Sequence, residues 1–498
     1  MFRFHRSLTL LRLALLSLVG FVVLLALIFT SVGRHRCRHS LLAAAKTYFD
    51  GNVIGLVYEP DDDRVPPLFV VRPLVIWSAN YHDAPLYDLI DLLPPLGARI
   101  INRNFAPSGY CEQFPGACNA SRTLRVVGLR TNYLCQAADE RRHLASHSFD
   151  AYRDDPEMAA VDAFLCYHPS SICAAFERFN KSLVVVPSLR YNNYACRTPD
   201  RWRAWNRRLV TYAADPKNIV GANNLYDVEF LRYFTGIDAQ YLPSFCNYSG
   251  MTYRATSDDK ATKNRVYLLW RRTQNERGWL NGRFRADVDA ELVRRNSSAR
   301  LLDLKTVYPD AYKMADVAAH PGIVNVPYDA STMSVFEHYR MNVPLFFPAK
   351  ALLVDWHLEY SVLCYRGTRL LRCDHDRPLK RGDLRQHRST VERFPVGGDG
   401  RAGGGTRGGG CPPDPNDDRS PTAVEYWLSL ADFYQFPHIT YFDSAADLGR
   451  ILDELRPADL RRISRRMAEH NRRLKRELLT KWSANLLTIA RYSANRPH

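Results

Sequence analysis

Two acidic and two hydroxyl residues in one short segment could bind a sugar and an anion. Asp329 falls in a small polar loop after an apolar run, and Glu337 follows eight residues later, about two turns into the helix that the loop begins. A carboxylate there can accept hydrogen bonds from two ribose hydroxyls. Ser331 and Thr332 stand where the helix amides would meet an anion. The spacing Ser334-x-x-Glu337 also matches a capping box, in which Glu337 only closes the helix start.

A basic loop follows the apolar run Val266–Trp270 and precedes a predicted helix. Arg272 and Arg277 lie in this loop. Guanidinium groups and helix amides at the end of a first strand are suited to holding a diphosphate. In a chain this rich in arginine, a basic loop is usually just solvated surface.

The loop after the first predicted strand carries His82 and Asp83. At the carboxyl end of a strand these side chains could orient or deprotonate an acceptor hydroxyl. His168 follows another predicted strand and is a second candidate. Both His82 and Asp83 can equally be ordinary turn residues, whereas His320 and Arg190 are interpreted as structural.

Short apolar runs alternate with amphipathic stretches from residue 69 onward, which is typical of buried parallel strands joined by helices. The first series comprises Leu74–Trp77, Arg99–Asn102, Leu124–Leu129, Ala163–Cys166, Leu183–Pro187 and Ile219–Ala222. The second comprises Val266–Trp270, Arg300–Leu304, Gly322–Val326, Pro344–Phe347 and Ile439–Phe442. The pattern predicts an α/β protein with two tandem Rossmann-like domains and a cleft between them. Their predicted bounds are 69–250 and 258–490, with a flexible glycine-rich insertion at 376–421.

The N-terminal region predicts a membrane anchor. Residues 13–32 carry no charge and are long enough to cross the hydrocarbon core as a helix. They divide a cytoplasmic tail, 1–12, from a stem, 33–68. Ten cysteines beyond Cys37 suit disulfides in an oxidising compartment. The sequence also contains four Asn-x-Ser/Thr sites, at Asn119, Asn180, Asn247 and Asn296. We therefore expect a single-pass type II protein of the endoplasmic reticulum or Golgi membrane with a luminal body.

The net charge of +16 does not by itself predict nucleic-acid binding. The chain has no helix-turn-helix, zinc-finger spacing or aromatic platform to accompany the charge, so we expect no nucleic-acid partner. From Arg456 to the end there are twelve basic and three acidic residues. That face could lie near anionic lipid headgroups or an acidic acceptor, or could simply be solvated.

Residues 264–348 resemble the donor half of GT-B glycosyltransferases, especially the retaining glycosyltransferase family four. In that family a strand ends in Gly-Arg-x-x-x-Glu-Lys-Gly, and a Glu-x7-Glu motif follows. Arg272 and Arg277 occupy the Arg and Lys positions, and Asp329 and Glu337 take the two acidic positions. The resemblance implies that the two arginines hold the donor diphosphate, that Glu337 binds the ribose, and that Asp329 lies near the transferred sugar. The first domain also resembles uncharacterised membrane-anchored proteins of algae, which assigns no function.

The resemblance implies a hexosyltransferase that uses a nucleotide sugar, retains the anomeric configuration and needs neither metal nor another cofactor. The acceptor would be a glycan or a glycoconjugate. One alternative is a metal-dependent GT-A enzyme, whose Asp-x-Asp would be Asp287 and Asp289 or Asp374 and Asp376. A second alternative is a carbohydrate-binding or scaffold protein that has lost the reaction, since Asp329 replaces the family's glutamate. Kinases and sulfotransferases are disfavoured because the phosphate-loop motif is missing.

Overall fold

The computed structural model describes most of the predicted luminal body. Apart from Pro412 and Pro413, the described residues belong to one compact unit. The described residues are 72–80, 82–103, 138–191, 199–254, 265–270, 283–360, 362–363, 412–417 and 420–494. The predicted tail, anchor and stem lie outside them, as does most of the predicted insertion. Within the described ranges no helix has the length and apolar character needed to cross a membrane.

Six parallel strands form the first sheet, in the order β2-β1-β3-β4-β5-β6. They are β1 Leu74–Ser78, β2 Ala98–Asn102, β3 Ala163–Cys166, β4 Ser182–Val185, β5 Ile219–Ala222 and β6 Gln240–Tyr241. β1, β3, β4 and β5 are buried throughout, as expected for strands covered on both faces. β2 and β3 pair with opposite edges of β1. The carboxyl ends of β1 and β3 therefore form a topological switch point, the usual ligand site of such sheets.

The connections of the first sheet are helical. The helices are α1 Ala84–Leu92, α2 Ala138–Tyr152, α3 Pro156–Ala160, α4 Pro199–Ala214 and α5 Leu225–Thr235. Short 3₁₀ segments lie at Pro94–Leu96, Ser170–Phe179 and Asn247–Ser249. The bounds of α5 are set by residues at its own ends. Asn224 caps its start by accepting a hydrogen bond from the amide of Asp227, and Gly236 ends it with φ of 73°.

Five parallel strands form the second sheet, in the order β11-β10-β9-β7-β8. They are β7 Val266–Trp270, β8 Arg300–Asp303, β9 Ile323–Asn325, β10 Leu345–Pro348 and β11 Thr440–Phe442. β8 and β9 pair with opposite edges of β7. The second sheet therefore has its own switch point, at the carboxyl ends of β7 and β9.

Helices also connect the strands of the second sheet. They are α6 Arg285–Arg294, α7 Leu304–Val307, α8 Met314–Val317, α9 Met333–Arg340, α10 Lys350–Tyr360, α11 Pro421–Leu428, α12 Asp432–Gln435, α13 Ala445–Glu454 and α14 Pro457–Ala494. Of these elements, α9, α11 and α14 contain side chains that contact the first domain.

The last helix, α14, packs against both domains. Its first half places Leu460 and Met467 in the same core cluster as the second sheet. Its second half places Trp482 and Ile489 in a separate cluster with Ile76 of β1. α14 therefore covers part of the first sheet although it follows the second sheet in sequence.

Two parallel sheets with helical connections confirm the predicted α/β architecture of two Rossmann-like domains. The observed strands agree with the predicted apolar runs to within one or two residues, and the run Leu124–Leu129 lies outside the described residues. β6 was not predicted. It has only two residues, Gln240 and Tyr241, neither of them fully buried, so it leaves no apolar run in the sequence.

Candidate functional site

A buried amide joins the carboxyl ends of β1 and β3 at the first switch point. The side chain of Asn80 is completely buried. Its Oδ1 accepts hydrogen bonds from the amides of Tyr167 and His168, at 2.8 and 2.9 Å. Its Nδ2 donates to Ser78 Oγ at 3.0 Å and to the carbonyl of Leu165 at 3.1 Å. The amide oxygen and nitrogen of the Asn80 side chain therefore each form two hydrogen bonds. These bonds hold the loop after β1 against the loop after β3.

The structure brings His82, Asp83 and His168 together beside Asn80. The two imidazole rings lie 5.6 Å apart between centroids. Burial, with a smaller contribution from His82, lowers the pKa of His168 to about 3, so this ring is a poor base. His82 is exposed as a residue, yet desolvation of its ring lowers its pKa, and Asp83 partly offsets the effect. Of the two rings, His82 is better suited to accept a proton.

Unpaired polar groups are buried at the second switch point. Trp270 at the end of β7 pairs with Asn325 of β9, and the ring of His338 from α9 lies 4.3 Å from that of Trp270. Asn325 Nδ2 and both ring nitrogens of His338 are buried and have no hydrogen-bond partner among the residues that the structure describes. Such groups are costly, and here they lie at the sheet edge where ligands bind. Arg272 and Arg277, in the loop after β7, lie outside the described residues.

Glu337 is held by a residue of the first domain. It is buried in the middle of α9, where its Oε1 accepts a hydrogen bond from the hydroxyl of Tyr248 at 2.5 Å. The capping-box interpretation is wrong. The N-cap is Thr332, so the third helical position is Val335, which cannot close such a box. Thr332 Oγ1 lies 3.1 Å from Ser334 Oγ.

One guanidinium group joins the two domains. Arg190 follows β4 and is 1% exposed. Its Nε lies 2.5 Å from Oδ1 of Asp227, and its Nη2 donates to Oδ2 at 3.2 Å. Its Nη1 lies 3.5 Å from Oδ1 of Asp329, which follows β9 in the second domain. The ring of Tyr226 lies 4.5 Å from the guanidinium carbon. The predicted site carboxylate Asp329 is therefore ion-paired across the domain junction.

Three carboxyl groups share this single guanidinium. Burial raises the pKa of Asp329 to about 7; Arg190 acts against the rise and Asp227 adds to it. Burial also raises the pKa of Asp432 well above its ordinary value, although a hydrogen bond with the Ser331 side chain acts against the rise. Since one positive charge cannot offset three negative charges at low dielectric, we expect the cluster to hold at least one proton near pH 7.

Aromatic side chains enclose the cluster. Trp427 of α11 is completely buried against three rings of α5. Its centroid lies 5.2 Å from that of Tyr226, 6.1 Å from that of Phe230 and 5.9 Å from that of Tyr233. These contacts cross from the second domain to the first. The nearby Arg190 and Asp227 side chains are each 1% exposed, and burial strengthens the attraction between their charges.

The structure does not favour a metal site at the first Asp-x-Asp triplet. Asp287 and Asp289 lie on α6, where they form ion pairs with Arg283 at 3.9 Å and Arg285 at 3.5 Å. The second triplet, 374–376, lies outside the described residues. In the part of the chain that the structure describes, no group of three His, Cys, Asp or Glu side chains is arranged to hold a metal ion.

The chain has only distant similarity to known proteins. No family model matches the chain, and no curated protein matches it. Among solved structures, a protein assigned as a UDP-N-acetylglucosamine 2-epimerase from Listeria monocytogenes is 12% identical, over 55% of this chain and 79% of that one, with a TM-score of 0.31. Acinetobacter baumannii MurG is 14% identical over 55% and 78%, with a TM-score of 0.31. The glycotransferase of kitacinnamycin is 10% identical over 85% and 98%, with a TM-score of 0.33. The two Rossmann-like domains are defined by the strand order of the two sheets.

The sequence does not reveal several residues of this site. Arg190 is read from the sequence as structural, and its contact with Asp329 places it within the candidate site. Asp432 belongs to no motif, and nothing in its local sequence indicates that it approaches Ser331. Asn80 does carry a signal, because it lies two residues before His82 in the loop after β1.

Proposed function

We propose that the protein is a glycosyltransferase that transfers a sugar from a nucleotide-sugar donor to a glycan or glycoconjugate acceptor. One observation carries the proposal: both acidic residues of the donor motif contact the first domain, Asp329 through Arg190 and Glu337 through Tyr248. In open α/β sheets, ligands bind outside the carboxyl ends of the strands. A junction between two such edges would let a donor bound to one domain react with an acceptor bound to the other.

The roles of the donor-side residues follow from the resemblance to GT-B enzymes of the retaining family four. Arg272 and Arg277 would hold the diphosphate, which makes a metal ion unnecessary, and Glu337 would bind the ribose. Ser331 and Thr332 would face the phosphate or sugar at the start of α9. The donor is the co-substrate, and no further cofactor is proposed.

The transfer step is the substitution of the donor's phosphate group by a hydroxyl. The acceptor oxygen forms a bond to the anomeric carbon, and the bond from that carbon to the phosphate oxygen breaks. The leaving group is the nucleoside diphosphate, or the nucleoside monophosphate where the donor is a CMP-sugar. His82, next to Asp83, would take the proton from the acceptor hydroxyl. Asp329 would lie beside the developing positive charge on the transferred sugar and stabilise it when ionised.

The first test is a panel of UDP-, GDP- and CMP-sugars offered to the full-length protein in detergent, with EDTA present. We expect binding or slow hydrolysis of at least one donor, and loss of both in Glu337→Ala and Glu337→Gln. The glutamine variant keeps the size of the side chain and an acceptor for Tyr248, so it separates charge from folding. Glu425→Ala, an exposed glutamate on α11, serves as the control and should bind normally. Strict dependence on Mn²⁺ would instead favour a GT-A enzyme, and failure to bind any nucleotide a non-catalytic protein.

We further propose that the body lies in the lumen of the Golgi or endoplasmic reticulum, behind a type II anchor at 13–32. A disulfide between Cys166 and Cys173, with Cα atoms 5.7 Å apart, supports an oxidising compartment. Asn180 and Asn296 are exposed, so both should carry glycans in cells. Asn247 should carry none, because its side chain is engaged on both sides by hydrogen bonds. Mass spectrometry after glycosidase treatment tests this, and unmodified Asn180 and Asn296 would argue against a luminal body.

A further inference from the structure

The outer face of α14 carries a run of cations that form no ion pair with any described residue. Between residues 461 and 476, only Arg462 forms a salt bridge within the described chain, with Asp459 at 2.8 Å. Seven other basic side chains in this stretch are exposed or half-buried and have no salt bridge to a described residue: Arg461, Arg465, Arg466, Arg472, Arg473, Lys475 and Arg476. We name residues 461–476 the basic face of α14.

Two other helices show that arginine in this chain is not always left unpaired. At the end of α6, Arg294 and the C-cap residue Arg295 both contact Glu291, at 2.5 and 2.7 Å. On α13, Arg450 contacts Asp447 and Glu454, each at 2.7 Å. These are the three- and four-residue spacings that stabilise helices. Arginine-rich composition alone therefore does not explain the basic face, where Glu469 lies at such spacings from four arginines and yet forms no salt bridge among the described residues.

The cations form stripes opposite the buried side of the helix. Leu460, Met467 and Asn471 are buried, whereas the spacing of Arg461, Arg465, Arg472 and Arg476 places them along one line on the other side. The stripe runs for about 22 Å at the rise of an α-helix. A linear array of like charges at this spacing repels itself, and binding a chain of anions relieves that repulsion.

A histidine from a neighbouring turn lies beside the basic face. Burial first, then repulsion by Arg466 and Arg473, lowers the pKa of His438, while Glu469 acts in the opposite direction. Burial, followed by repulsion from Arg473 and His438, also lowers the pKa of His470. The turn before β11 is fixed, because the hydroxyl of Tyr339 donates to the carbonyl of Pro437 at 2.9 Å. A lowered imidazole pKa leaves both rings neutral near pH 7, so the positive charge of the face comes from its arginines and lysine.

The composition of the face separates the classes of polyanion. A helix that binds a membrane surface inserts an apolar side, but the apolar side of α14 is buried in the protein. None of the exposed large apolar residues of the described chain lies within 461–476. The face also lacks tyrosine, tryptophan or phenylalanine on which bases could stack. The basic face of α14 is therefore best suited to a polyanion that has no nucleobases and is not part of a membrane surface.

We propose that the basic face of α14 binds a linear acidic polysaccharide through its carboxylate or sulfate groups. This goes beyond the proposed function, because binding to the basic face of α14 needs neither donor nor turnover. If transfer fails but binding is found, the polysaccharide site stands alone; if donor binding is found but no acidic chain binds, only this inference fails.

The test measures the affinity of the full-length protein for heparin, polygalacturonate and neutral dextran, at several salt concentrations. We expect both acidic chains to bind, more weakly as salt rises, and dextran not to bind. The variant Arg465→Gln/Arg472→Gln/Arg476→Gln should lose affinity about tenfold or more and depend less steeply on salt. Comparing the affinities for heparin and polygalacturonate also distinguishes sulfate from carboxylate recognition, because only heparin carries sulfate.

A matched variant excludes a simple effect of net charge. Arg285→Gln/Arg294→Gln/Arg450→Gln removes the same three charges from ion-paired positions on α6 and α13. It should keep nearly the affinity of the unaltered protein. An equal loss in both variants would overturn the proposal, as would tight binding to phosphatidylserine vesicles or to single-stranded DNA with no binding to either acidic polysaccharide. Circular dichroism and unfolding midpoints establish that both variants are folded.

Discussion

Replacing Arg190 tests whether a single buried charge holds the two domains together. Arg190→Met keeps a long unbranched side chain but leaves the carboxyl groups of Asp227, Asp329 and Asp432 without their cation. Two unit charges about 4 Å apart attract by about 4 kcal/mol at an effective dielectric of about 20. Removing one partner of a buried ion pair commonly costs about 3 to 5 kcal/mol. We therefore expect the variant to lose about 3 to 5 kcal/mol of unfolding free energy at pH 8.

The loss should shrink at acidic pH. The pKa of Asp329 is raised to about 7 in the folded protein, against about 4 for an unfolded aspartate. A raised carboxyl pKa gives stability that is present at low pH and lost as the pH rises through about 7. At pH 5 the carboxyl groups can be neutral and need no cation. The deficit of Arg190→Met should then fall to about 2 kcal/mol or less.

Denaturant unfolding of the full-length protein at pH 5 and pH 8, followed by tryptophan fluorescence, measures both quantities. Arg72→Met is the matched control. Arg72 is half exposed and forms two hydrogen bonds with Asp162, at 2.8 and 2.6 Å. Although burial acts against it, these bonds keep the pKa of Asp162 below its ordinary value. Solvent screening limits the control's loss to about 1 kcal/mol, equal at both pH values. The reasoning is refuted if Arg190→Met shows the same deficit at both pH values, or no more than the control.

Three further substitutions test individual contacts. Gly322→Ala should lower the unfolding free energy by about 1 to 3 kcal/mol, since its Cβ would lie 2.5 Å from the ring of Phe346; an unchanged midpoint would contradict the packing. Asn80→Ala should cost about 2 kcal/mol or more, because it leaves two buried amides without acceptors, and weaker acceptor binding should accompany the loss. Tyr248→Phe removes the hydroxyl that donates to Glu337, and should cost about 1 to 2 kcal/mol and raise the donor KM more than it changes kcat. Equal changes in both kinetic constants would place Tyr248 outside donor binding.

Much of the fold is visible in the sequence because strand and helix signals are local. The apolar runs at Ala163–Cys166, Ile219–Ala222 and Val266–Trp270 coincide with the observed strands, since strands buried on both faces cannot tolerate polar alternation. The two-domain organisation follows from the repeated alternation of such runs with helices. β6 escapes notice because a two-residue edge strand leaves no such run.

The sequence by itself also determined which residues could do chemistry: the acidic pair at Asp329 and Glu337, the loop with His82, and the cations of α14. Only the tertiary structure decided their partners. The contact of Arg190 with Asp329 and that of Tyr248 with Glu337 each join residues far apart in the chain. Composition and periodicity describe the environment that each segment needs, whereas ion pairs across a domain junction depend on how two finished sheets pack. Burial there also sets the protonation of Asp329, which the sequence cannot encode locally.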